Sequence, residues 1–225
     1  MTQDEAKQLA AQAAVRELPP AGVLGLGSGS TAKLFIDEVG KLVKAGRAYQ
    51  GVPTSEGSRT QALALGIPLL PDAGPWSIAV TVDGADEVDA QLNLIKGGGA
   101  AQTREKIVNF SSARNVIVVD ESKLSTHLGE RWPVPLEVLG FGLHATLRHL
   151  EPLGAPAVRL KGGQPVLTDA GNVMVDLKAG LIEDPGALDQ ALRRIPGVVE
   201  TGLFIGRADV VLVAGSGGIR TLRRG

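Results

Sequence analysis

The stretch SIAVTVDGADEVDAQLNLIKGGGAAQTREK, residues 77–106, decides the fold. It opens on an apolar run, 77–82, whose pattern predicts a strand. The 24 positions from 83 to 106 then carry five carboxylates (Asp83, Asp86, Glu87, Asp89 and Glu105), a triple glycine at 97–99, and three cations. A helix-like stretch begins near Ala101. Open α/β sheets keep their ligands at the C-terminal ends of their strands, where Asp83 falls. Glycines let backbone come close to a ligand. Together these features predict an acid/base site beside an anion cradle.

Working outward, the apolar spacing predicts alternating elements. Residues 3–18 read as a helix with Ala6, Leu9, Ala10, Ala13 and Ala14 on one face, stopped by Pro19 and Pro20. Strand 22–26, helix 30–44, strand 48–53, helix 56–65, strands 67–70 and 77–82, helix 102–113 and strand 115–119 follow. This alternation predicts a Rossmann-like α/β fold, a mainly parallel sheet with helices on both faces. The order changes near 132, where WPVPLEVL, a helix at 141–152, strands at 157–160 and 172–177, a helix at 185–194 and a strand at 197–205 give a β-α-β-β-α-β unit. That order is ferredoxin-like. DVVLV at 209–213 and the glycines after it read as a return to the first sheet. The expected division is an α/β catalytic domain of 1–131 with 206–225, carrying an inserted α+β domain at 132–205.

Composition excludes several function classes. The chain has 225 residues, 44% of them hydrophobic, enough for a sizeable core. A net charge of −1 and a pI near 6.3 point away from nucleic acid and from acidic membrane surfaces. The absence of cysteine rules out disulfides, thiolate catalysis and cysteine-based zinc sites. Three histidines make a histidine-rich metal site a poor expectation. No apolar run approaches the ~18 residues of a membrane span. The acidic, amphipathic start, MTQDEAKQLAAQAAVREL, is unlike a secretion signal, so the expected location is the cytoplasm.

A second glycine-rich turn, GLGSGST at 25–31, lies between a predicted strand and a predicted helix. Free amides and the helix dipole favour an anion there. It is not a P-loop, since no lysine stands in the GK[ST] place, and Ser30 occupies the third glycine of a dinucleotide fingerprint. Its hydroxyls suit a small phosphate or sugar. A tight turn with a serine or threonine helix cap explains the same residues. The carboxylate run is open in the same way. It reads as a solvated loop face, as a Mg²⁺ site, or as a metal-free site in which Lys96 and the amides of Gly97, Gly98 and Gly99 stabilise an oxyanion. Glu105, alone on its helix, reads either as a group reaching back to the glycines or as an ordinary surface glutamate.

GLGSGST, DGADEVD, KGGGAA, TREK and DESK, in this order and spacing, resemble ribose-5-phosphate isomerase of the A type, and the resemblance covers essentially the whole chain. It implies interconversion of ribose 5-phosphate and ribulose 5-phosphate in the pentose phosphate pathway, with no metal and no organic cofactor. It puts Ser28, Gly29, Ser30 and Thr31 in the substrate-binding loop, with serine at 28 where many relatives have threonine. Asp83, Gly84, Ala85 and Asp86 fall on the family's DGAD block, and Lys96, Gly97, Gly98 and Gly99 on its KGGG block. Glu105 falls on the proton acceptor and Lys123 on a substrate-binding lysine. Lys7 falls on a basic residue that reaches toward the substrate phosphate. The chemistry then assigns Lys96 to the charge on the O1–O2 edge, and Asp83 and Asp86 to ring opening and to holding the lysine or the sugar hydroxyls. The sequence does not separate those last two roles. The resemblance also implies a homodimer or homotetramer, with a small phosphosugar as the partner and neither nucleic acid nor membrane. Three rivals are another sugar-phosphate enzyme, such as a deaminase or a lactonase, a metal-dependent phosphatase, and a phosphosugar-binding regulatory domain. Such domains usually carry an N-terminal DNA-binding element, for which the first helix leaves no room.

Overall fold

The computed structural model describes residues 2–224, and it divides into two compact units. The first comprises Met1–Gly84, Arg104–Lys123 and Arg207–Gly225, the second Ala85–Thr103 and Leu124–Gly206.

The first unit is built on a six-stranded sheet. Its order is Gly218–Arg223, Val210–Gly215, Asn115–Asp120, Ile78–Asp83, Gly22–Leu26, Tyr49–Pro53. All neighbours are parallel except the terminal hairpin, where Val210–Gly215 turns back through Ser216 and Gly217. Leu24, Leu26, Val80, Val82, Val116, Val118 and Leu212 alternate along their strands onto one face and are at most 4% exposed. Three helices cover that face: Gln3–Val15, Ser30–Lys44 and Glu56–Ala64. The first helix buries alanines in the core (6, 10, 11, 13 and 14), with Val15 packed beside them at its end, so it lies close against the strands Asn115–Asp120 and Val210–Gly215. The helix Gln102–Phe110 covers the other face, where Val108 packs with Val52 and Ile78. The mainly parallel α/β expectation holds. The chain runs from Gly22–Leu26 to a neighbour on one side, Tyr49–Pro53, and then crosses to the other side at Ile78–Asp83. The strand order therefore reverses at the C-terminal ends of Gly22–Leu26 and Ile78–Asp83, where such sheets bind ligands.

The second unit has a four-stranded antiparallel sheet, ordered Val198–Thr201, Val134–Val138, Val173–Lys178, Ala155–Val158. With the helices Leu143–Leu150 and Pro185–Arg193, this is the β-α-β-β-α-β topology expected of 132–205. Beside it, Leu203–Phe204, Leu94–Ile95 and Glu87–Val88 form a small antiparallel sheet.

Three expectations differ from the structure. Residues 67–70 form one bridge, Gly51 to Leu69, instead of a strand, because Pro68 within the segment and Pro71 after it lack the N–H a ladder needs. The strand expected over 197–205 breaks at Gly202. A Cβ there would stand 2.2 Å from the Lys96 carbonyl oxygen, and the chain passes from one sheet to the other at that point. The second unit also takes in 85–103 and 124–131, which the expected boundary at 132 left in the first. Pairing of 87–88 with 94–95, and of 94–95 with 203–204, ties that segment to the second unit's backbone.

Candidate active site

In the first unit the site grows from the point of strand reversal. Asp83 ends its strand 3% exposed, and its Oδ1 accepts the backbone N–H of Ser28 at 2.9 Å and of Gly84 at 2.8 Å. That approach needs glycine at 27, where a Cβ would stand 2.3 Å from the same oxygen. The loop then turns through Gly29, whose φ of +91° suits glycine, and enters the helix Ser30–Lys44. Gly29 is the N-cap, with no side-chain cap hydrogen bond and no acidic residue in the first turn. The capping explanation of the hydroxyls therefore fails, and among the described residues no side chain caps the first-turn amides. Gly29 and Ser30 are exposed and Thr31 is half-buried.

Ser28 is occupied differently from its two neighbours. Its hydroxyl donates to Ser55 Oγ at 2.8 Å and lies 2.8 Å from Thr54 Oγ1. Ser58 completes the cluster, donating to the Gly27 carbonyl oxygen at 2.6 Å. Thr54 and Ser58 are buried. These three hydroxyls, which fix the loop from below, escaped the sequence reading. Their one signal is the TSEGS run, which reads as an ordinary helix start.

Glu105 lies in the first turn of Gln102–Phe110 and is only 5% exposed, which excludes the surface reading. Arg104 beside it pairs with Glu56 at 2.6 Å. At its other end the helix is clamped by Arg207, which donates to Asn109 Oδ1 at 3.0 Å and to the Asn109 carbonyl at 2.8 Å and lies 4.0 Å from the Phe110 ring centroid. Lys123 ends the short 3₁₀ turn Glu121–Lys123 after Asn115–Asp120, at the same C-terminal edge of the sheet, half-buried. Lys7 lies in the first helix, its ammonium 3.6 Å from Asp4.

In the second unit the triple glycine follows directly on Lys96. Lys96 is 3% exposed, and its ammonium lies 5.4 Å from the Phe204 ring centroid. Asp86 and Ala85 are half-buried. Asp86 Oδ2 accepts the Gly98 N–H at 2.7 Å, an approach that needs glycine at 98, where a Cβ would stand 2.7 Å from that carboxylate. Gly97 is buried, while Gly98 and Gly99 are exposed. Glu87 and Asp89 have other work. Glu87, fully buried, accepts the N–H groups of Gly129, Arg131 and Trp132. Asp89 closes its own turn on the N–H groups of Gln91 and Asn93. The run that reads as one acidic cluster is thus four carboxylates, each on its own amides. Among the described residues no three histidines or carboxylates converge as a metal site would.

A model of the ribose 5-phosphate isomerase A (phosphoriboisomerase A) family matches residues 50–218. The chain is 47% identical over 232 residues to a ribose-5-phosphate isomerase A of Rhodopseudomonas palustris, each covered in full. The chain belongs to the ribose-5-phosphate isomerase A family. The isomerase A of Methanothermobacter thermautotrophicus is 47% identical over 221 residues, covering 96% of this chain and 97% of that one. A solved D-ribose-5-phosphate isomerase in complex with phospho-erythronic acid superposes with a TM-score of 0.96 at 39% identity, both chains covered in full. The isomerase A of Methanocaldococcus jannaschii superposes at 0.93 with 38% identity, covering 99% of this chain and all of that one. The isomerase A relatives thus span both units and all five sequence blocks, including the glycine loop and Lys7, which precede the residues matched by the family model.

Proposed function

We propose that this chain interconverts D-ribose 5-phosphate and D-ribulose 5-phosphate in the pentose phosphate pathway, moving one proton between C2 and C1 through an enediolate. The observation that carries this is the full-length likeness to an isomerase holding phospho-erythronic acid, a short phosphorylated sugar acid. Glu105 is the general base, and its burial keeps water from competing for the proton. Lys96 and the exposed Gly99 amide stabilise negative charge on the O1–O2 edge. Asp83, fixed by two amides, opens the sugar ring. Asp86, fixed by Gly98, holds the sugar hydroxyls. Ser30, Thr31 and the first-turn amides of Ser30–Lys44 take the phosphate, with Lys123 and Lys7 supplying charge. Ser28 serves through its backbone, since its hydroxyl is spent on Ser55. No helix among the described residues is long and apolar enough to cross a membrane. The reading extends to a cytoplasmic homodimer or homotetramer, whose number analytical ultracentrifugation decides.

The test is conversion of ribose 5-phosphate by purified protein with EDTA present, beside Glu105→Gln. Losing a positioned base costs ~10²–10⁴ in rate. The variant is expected to lose at least that and still bind substrate. Near wild-type turnover by Glu105→Gln removes Glu105 from the mechanism. Phosphosugar binding without turnover by the wild type moves the assignment to a regulatory domain.

A further inference from the structure

Arg159 stands between the strand Ala155–Val158 and the next short strand, outside every sequence block that marks the family. Its guanidinium is spent in two directions. Nε and Nη2 donate to the two carboxylate oxygens of Asp176, in the neighbouring strand Val173–Lys178. That pairing is built into the register: Asp176 is opposite Ala157, so Arg159 is its diagonal neighbour on the same face. The remaining nitrogen, Nη1, donates to the Gly97 carbonyl oxygen at 2.7 Å and to the Gly98 carbonyl oxygen at 3.1 Å. One side chain therefore holds two successive carbonyls of the triple glycine.

A trans peptide points its N–H opposite to its C=O. Holding the Gly97 carbonyl turns the Gly98 N–H the other way, and that N–H is found on Asp86 Oδ2. Holding the Gly98 carbonyl turns the Gly99 N–H to the same side. Gly99 is exposed, and no hydrogen bond among the described residues uses that N–H. Successive N–H groups on one side form an anion-binding concavity, of which Asp86 takes the Gly98 donor and leaves the Gly99 one. Glycines alone would let these planes rotate freely; the Ala100 N–H also reaches the Gly97 carbonyl, at 3.0 Å, and among the described residues Arg159 is what reaches the Gly98 carbonyl. A charge-assisted bond to the carbonyl also polarises the peptide, making its N–H a better donor.

We propose that Arg159, oriented by Asp176, is a positioning residue that fixes the Gly98 peptide plane and aims the Gly99 amide for charge stabilisation in the isomerisation. This rests on the isomerase reading above. Arg159 touches no reacting atom. It acts through the two peptide planes, so its loss weakens binding of a group carrying the enediolate's charge and spares the phosphate anchor, which belongs to the Ser30–Lys44 helix.

The experiment compares wild type with Arg159→Met, Arg159→Lys and Asp176→Asn. Kinetics on ribose 5-phosphate, affinities for phospho-erythronic acid and inorganic phosphate, and amide exchange at Gly98 and Gly99 are measured. Removing one oxyanion donor costs ~10²–10³ in kcat, and an indirect effect should be smaller, about 10–100-fold in kcat for Arg159→Met. Phospho-erythronic acid should bind at least about 10-fold more weakly while inorganic phosphate binds as before. Arg159→Lys, which keeps the charge but not the fork, should fall between, as should Asp176→Asn. The Gly98 amide, held on Asp86, should exchange faster in Arg159→Met. If Arg159→Lys and Asp176→Asn fold with wild-type kcat and unchanged glycine exchange, the inference is wrong. Equal weakening for both ligands also overturns it, because that is general loss of structure. If the wild type itself does not isomerise while the Gly98 amide responds as described, the isomerase reading fails and the positioning of the loop stands.

Discussion

Asp83 shows how much one atom can organise. Its Oδ1 takes two backbone amides, one at the start of the glycine loop and one in its own turn, so the carboxylate is oriented before any ligand arrives. Its position at the end of an apolar strand is legible in sequence, because a period-2 pattern ending on a charge marks a strand terminus. The division of labour among Asp86, Glu87 and Asp89 is not legible. Their spacing is the same whether they converge on a metal or part onto separate amides, as they do here. Lys7 belongs to this scale too. Its ion pair with the exposed Asp4 is a surface pair of little strength, about 0–1 kcal/mol, so removing it should not unfold the helix. Lys7→Ala is expected to raise KM for ribose 5-phosphate more than it lowers kcat, since the phosphate is remote from the reacting carbons. Steady-state kinetics showing a pure kcat loss would contradict that role.

At the scale of elements, the two helices Gln3–Val15 and Ser30–Lys44 start in opposite ways. The first is closed by a capping box: Thr2 Oγ1 accepts the Glu5 N–H at 3.2 Å, and Glu5 accepts the Thr2 N–H at 2.6 Å. The second begins on Gly29, with no side-chain cap. The first helix thus has side-chain partners at its start, and the second has no side-chain cap. The box has a pH signature. The Thr2 backbone N–H holds the Glu5 carboxyl below its ordinary value, with the Thr2 hydroxyl adding to it. Because the folded value is the lower one, the stabilisation is fully present above the unfolded glutamate pKa and fades as pH falls through the folded one. Carboxyl ¹³C titration of Glu5 should therefore give a lower midpoint in the folded chain than in urea, and equal midpoints would reject the box. The Ser30–Lys44 helix follows its apolar spacing closely, whereas Val198–Thr201 gives way at Gly202, where the nearby Lys96 carbonyl excludes any side chain.

For the molecule as a whole, each unit carries its own core. In the first, Phe35, Leu24, Leu26 and Ile36 are completely buried beneath the helices. Phe35→Ala should cost about 3–5 kcal/mol in urea unfolding, the range for deleting a buried aromatic ring, and a change under ~1 kcal/mol would mean the helix does not pack as described. The fold class and the family could be read without coordinates, because helical and strand periods are local and five motifs in register leave little room for coincidence. The same holds for the β-α-β-β-α-β order of the second unit. By itself, then, the sequence determined the kind of element at most positions, the family, and which blocks carry its motifs. Only the tertiary structure decided that 85–103 joins the second unit, that Ser28 turns its hydroxyl to Ser55, that Glu105 is buried, and that Arg159 grips glycines 61 and 62 residues before it. The physical reason is one of range: periodicity records how a residue relates to its near neighbours, while a hydrogen bond between distant segments depends on where the whole backbone brings them.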